Sequence, residues 1–134
     1  MLDFSKFTEG HLTGLKVYQV EKRANLFLQE ATGENWFLSV TEVVEFMTLQ
    51  MRMQNIIDRI CMWDAASDEL EYQDKIFTLI HGKYVGENDD ISSQVIIQTI
   101  DIIRRGEGVL IELLPVYGAH ILIFAKSVSL EVAP

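Results

Sequence analysis

Cysteine occurs once in this chain, at Cys61, so no disulfide can close within it. The thiol lies in the apolar run IIDRICMW, where a reduced, buried state is expected. Proline is almost as rare, with two in 134 residues, and no Pro/Gly/Ser-rich linker, internal repeat or low-complexity tract divides the sequence. One domain over residues 1–134 is therefore expected, since a chain of this size buries roughly 68% of its unfolded surface around a single core.

Basic residues are scarce too. Eleven Lys and Arg stand against 20 Asp and Glu, a net charge of −9. That charge repels phosphate backbones and anionic lipid, so we expect no direct nucleic-acid partner and no membrane partner, and a basic protein suits it better. A long unbroken apolar run is also missing. The nearest approach, GVLIELLPVYGAHILIFA from Gly108 to Ala125, is interrupted by Glu112, Pro115, Gly118 and His120 and reads as two strands and a turn. The opening MLDFSKFTEG has no basic stretch followed by an apolar one, so no secretory leader is expected and a cytoplasmic location fits.

The patterns that chemistry enforces are absent as well. His11, His81 and His120 stand far apart with no HxH, HExxH or CxxC nearby, so no metal is expected. Cys61 has no nucleophile signature and apolar neighbours that dull it. Gly106 and Gly108 bracket one glutamate without the rest of a phosphate loop. The reading is a protein that is not an enzyme and carries no cofactor.

What is present is an ordinary globular balance, 49% hydrophobic and 23% charged. Leu12 to Val20, Asn25 to Glu30 and the WFLSV that follows the turn-like ATGEN read as a three-stranded antiparallel meander. Ser39 and Glu42 resemble a capping box, and a long helix from about Thr41 to Trp63 is predicted behind it. Phe46, Leu49, Met53, Ile56, Ile57 and Ile60 form one apolar stripe of that helix, and Val44, Met47 and Met51 a second. The second stripe is a candidate dimer interface, because methionine adapts to partner surfaces.

A second helix starts near Ser67, with Asp68, Glu69 and Glu71 in its first turn and Gly82 at its end. A third runs from about Ile91 to Arg105, opened by Asp89 or Asp90 and closed by Arg104, Arg105 and Gly106. A hairpin around PVYG, from Val109 to Leu114 and Ala119 to Ala125, completes the chain with a last strand from Val128 to Val132. The expected class is α+β: a mostly antiparallel sheet with about three helices packed on one face.

One window stands out by charge. Residues 63–90 hold eight carboxylates, Asp64, Asp68, Glu69, Glu71, Asp74, Glu87, Asp89 and Asp90, against Lys75 and Lys83, a net −6. Helix-dipole complementation and solubility account for some of them. If the groups at 68–74 and 87–90 meet on one side, however, they focus negative potential around the aromatic anchors Tyr72 and Tyr84, a mix suited to steering a basic partner. The expected function is a small acidic interaction module that inhibits, neutralises or chaperones such a partner, as immunity proteins, phage-encoded inhibitors and secretion chaperones do. The alternative is a sensor domain with a small-molecule pocket between the sheet and the Met-rich helix.

Overall fold

The chain is described by a computed structural model over residues 2–134. Six strands, β1 (His11–Tyr18), β2 (Arg23–Gln29), β3 (Asn35–Leu49), β4 (Ile56–Trp63), β5 (Val109–Tyr117) and β6 (His120–Val132), close into an antiparallel barrel in the order β1-β2-β3-β6-β5-β4. Two helices, α1 (Gln73–His81) and α2 (Gln94–Arg104), lie between β4 and β5 in sequence and pack outside the barrel; single 3₁₀ turns occupy Ser5–Phe7 and Glu69–Glu71. The class is α+β, as expected.

Alternation builds the barrel core. Ala24, Leu26 and Leu28 of β2 face Leu38 and Val40 of β3, and Ile111 and Leu113 of β5 meet Ile121, Ile123 and Ala125 of β6, all buried. Phe4 and Phe7 of the N-terminal turn plug one end, where Phe7 meets Trp36 edge-on at 6.2 Å between ring centroids. The seam between β1 and β4 is short: one ladder pair, His11 with Ile56, is flanked by Leu12 N–H to Asn55 O and Ile57 N–H to Gly10 O, both 2.9 Å. Asn55 also locks two turns together, since its Oδ1 accepts from Arg52 N–H and from Ala119 N–H at 2.9 Å. Gly118 sits against it at φ 93°, and a Cβ there would run into that same oxygen.

The helix predicted over 41–63 does not form; the segment is the second half of β3, a turn and β4. Two features imitate helical spacing. Part of the segment is apolar on both faces, since Val43 and Phe46 face the barrel while Met47 and Leu49 face the helices. In addition, β-bulges between Val43 and Glu45 and between Ile57 and Arg59 insert a residue each. They turn inward-facing neighbours from i, i+2 into i, i+3, as for Val43 with Phe46 and Ile57 with Ile60. The supposed capping box is strand as well: Ser39 Oγ donates to Asn25 Oδ1 at 2.9 Å, and Glu42 takes φ 51° at the kink of β3.

The other two helices appear with corrected starts. Ser67 does not cap a helix; its Oγ accepts from Asp64 N–H at 3.0 Å, and Asp68 accepts from Leu70 N–H to open the 3₁₀ turn that leads into α1. Gly82 ends α1 in the left-handed region at φ 70°, its N–H donating to Thr78 O. Position Ser93 precedes α2, while Asp90 accepts from Ser92 one turn upstream. Ile76, Phe77, Leu79, Ile96, Ile100 and Ile103 bury a second core against Met47, Leu110, Leu122 and Phe124 on the outer face of the barrel. Among the described residues no helix is long and apolar enough to cross a membrane.

Candidate functional site

The loop that carries the second acidic group is tied back to the start of α1. Gln73 Nε2 donates to Ile91 O at 3.0 Å, which fastens the loop carrying Glu87, Asp89 and Asp90 against the turn that carries Asp68, Glu69 and Glu71. Many of these carboxylates also have local work. Asp68 and Asp90 accept from backbone two residues on, Asp89 accepts from Gly86 N–H and pairs with Lys83 at 3.7 Å, Glu71 accepts from the Trp63 indole, and Glu69 lies 3.5 Å from Arg104. Hydrogen bonds from Ser92 hold the Asp90 carboxyl below its ordinary value. Asp74 and Glu87 make no side-chain hydrogen bond or ion pair among the described residues.

The two predicted aromatic anchors part company. Tyr72 is fully buried in the second core, where it packs against Trp63, and burial pushes its hydroxyl above the ordinary 10.0. Tyr84 is 56% exposed in the loop after α1, beside the exposed Val85. Of the candidate dimer residues, Met47 is buried beneath the helices, Val44 is exposed at the bulge of β3, and Met51 is exposed in the turn after it. They do not form one stripe, because the segment is strand and turn.

Under Tyr84 lies a group of residues that composition and spacing did not single out. The Tyr84 hydroxyl is 3.0 Å from His120 Nδ1, His120 Nε2 is 2.7 Å from Glu112 Oε2, and Lys75 Nζ is 3.1 Å from the same oxygen. Glu112 and His120 are diagonal neighbours on the outer face of β5 and β6, both buried, and α1 covers them. With Nε2–H donating to the carboxylate, Nδ1 is free to accept the Tyr84 hydroxyl, so one tautomer satisfies the chain from Glu112 to Tyr84. Glu112 Oε1 has no protein hydrogen-bond partner among the described residues. A cleft of about 220 Å³ opens above, lined by Asp74, Lys75, Thr78, Tyr84, Val85, Leu114, Pro115 and His120. The signal in the sequence was the pair of polar residues inside the apolar run 108–125, which the sequence alone reads only as interruptions.

The remaining candidates stay apart. No group of three His, Cys, Asp or Glu among the described residues is arranged to hold a metal ion. Cys61 is partly buried on β4, and burial pushes its thiol above the ordinary 9.0, away from the reactive thiolate. A larger groove of about 1010 Å³ runs along the open end of the barrel between the β1–β2 turn and the kink of β3, with Val17, Val20, Val43, Val44 and Phe46 in its lining. Comparison of the chain with family models, with curated proteins and with solved structures finds no match.

Proposed function

We propose that this protein is a small acidic interaction module that binds a more basic partner protein in the cytoplasm and inhibits, neutralises or chaperones it. The observation that supports the reading is the Gln73–Ile91 hydrogen bond, which ties the end of the second acidic segment to the helix that follows the first. Charges gathered there add their potentials and speed encounter with a cationic surface, whereas the same charges scattered over the barrel would only aid solubility. Exposed Leu70, Tyr84 and Val85 lie among them and supply the apolar contacts that charge alone lacks. Binding, without a cofactor and without catalysis, is the proposed activity, and Val44 and Met51 remain the exposed members of the candidate homodimer surface.

The test is affinity capture from the source cells at low and high salt, with the captured protein then purified and titrated against wild type and a variant carrying Asp68→Lys, Glu69→Lys and Glu71→Lys. A stoichiometric basic partner whose association rate falls in the variant and in salt supports the reading. Unchanged affinity and rate in the variant remove the acidic face from the mechanism.

A second reading draws on the groove at the open end of the barrel, since barrel mouths are common sites for small apolar ligands. It replaces the pocket expected beside a Met-rich helix, which does not exist. A rise in melting temperature with an apolar ligand, abolished by Val17→Asp, is its expected signature.

A further inference from the structure

We infer that the cleft beside α1 is a socket for one arginine side chain of the basic partner. This rests on the proposal that the helical end faces such a partner, and goes further by naming the group recognised and the residues that hold it.

Size comes first. At about 220 Å³ the cleft falls below the roughly 300–1,000 Å³ of pockets that enclose cofactors and drug-sized ligands, and suits a single inserted side chain. Its walls are of three kinds. Val85, Leu114 and Pro115 are apolar and match an aliphatic stem; Tyr84, stacked on His120 by one face, has its other face to offer; Asp74 brings a carboxylate that pairs with nothing else among the described residues. An aliphatic stem ending in a delocalised cation fits all three, because a guanidinium stacks on the ring while its N–H groups fork to the carboxylate.

The buried chain beneath explains why Asp74 and Tyr84 are available. Lys75 also lines the cleft and would neutralise Asp74, but it is drawn instead to Glu112 at 3.1 Å, a carboxylate with no exposure. Glu112 in turn fixes His120, and His120 fixes the Tyr84 hydroxyl. A loop tyrosine that would otherwise sample many rotamers is thereby held in place before the partner arrives, which lowers the entropy lost on binding. Glu112 and His120 are thus positioning residues, and Asp74 and Tyr84 the contacting ones.

The experiment is a nuclear magnetic resonance titration of the labelled full chain with the blocked peptide acetyl-Gly-Arg-Gly-amide, its lysine twin and inorganic phosphate, at low salt. The arginine peptide is expected to bind about fivefold more tightly than the lysine peptide, with shifts centred on Asp74, Tyr84 and His120. Asp74→Asn, at a partly exposed position, removes most of that affinity while leaving the melting temperature unchanged; Tyr84→Ala removes it too, with a lower melting temperature because buried His120 loses its hydroxyl partner. Equal binding of the two peptides, shifts elsewhere, or a response to phosphate alone overturns the socket. A parallel titration with polylysine separates the two claims. Polylysine binding that is lost on reversing Asp68, Glu69 and Glu71 but indifferent to Asp74→Asn and Tyr84→Ala, with no arginine preference, leaves the acidic face standing and removes the socket; no binding of any basic probe removes both.

Discussion

Strands β5 and β6 have two buried faces of opposite chemistry. Toward the barrel they present Ile111, Leu113, Ile121 and Ile123, hydrocarbon throughout; toward the helices they present Glu112 and His120 among Leu110, Leu122 and Phe124. The barrel interior is enclosed by backbone whose hydrogen bonds are spent in the ladder, so it has nothing with which to satisfy a charge. The outer face is covered by a helix and a loop whose side chains reach down, and Lys75 and Tyr84 do so. A buried charge therefore marks the place where this fold has an adjustable cover.

The largest effect expected from breaking this contrast is Leu113→Glu, which puts the outer-face chemistry inside the barrel. An unpaired interior carboxylate should cost more than about 4 kcal/mol and leave the chain unfolded, while Leu113→Ala at the same site costs about 2–5 kcal/mol, both read by denaturant melts. On the outer face Glu112→Ala strands the His120 donor and frees Lys75, and a loss of about 1–3 kcal/mol is expected. Replacing Glu112 and His120 together by leucine should lose little or even gain, since buried polar pairs rarely beat hydrocarbon of similar volume. Equal large losses in the single and double variants would contradict the contrast.

Smaller effects sharpen it. Burial holds the Tyr72 and Cys61 protons above their ordinary values of 10.0 and 9.0. The folded chain thus keeps protons that the unfolded chain releases, so stability is full below pH 9 and falls as pH rises through that range. Melting temperatures should decline as pH rises above 9, and Tyr72→Phe should flatten part of the decline. Reversing Asp68, Glu69 and Glu71 should change stability least, by less than about 0.5–1 kcal/mol in calorimetry, because these groups serve exposed turns and weak surface pairs.

How far these features were legible in the sequence follows the same physics. Where turn residues bracket an alternating or apolar segment, the pattern was readable: β1, β2, the first part of β3, the α1 stop at Gly82, the end of α2 and the C-terminal hairpin all follow from it. Where apolar residues fall on both faces, as at Val43, Phe46, Met47 and Leu49, the period of two is blurred, and the two bulges then supply a false helical spacing. Of the acidic residues the sequence located all, but not the tie between the two segments, which depends on the long-range contact of Gln73 with Ile91. The group formed by Lys75, Glu112 and His120 was illegible because its members come from α1, β5 and β6 and share no local motif.

The central claim is that residues 68–74 and 87–90 act as one face toward a cation. Mapping backbone amide shifts of the labelled protein during titration with polylysine tests it most directly. The account predicts that both groups shift together, with one apparent affinity, and that the response fades in high salt. Shifts in only one group, or shifts centred on residues 17–24 and 42–46 at the open end of the barrel, would contradict it.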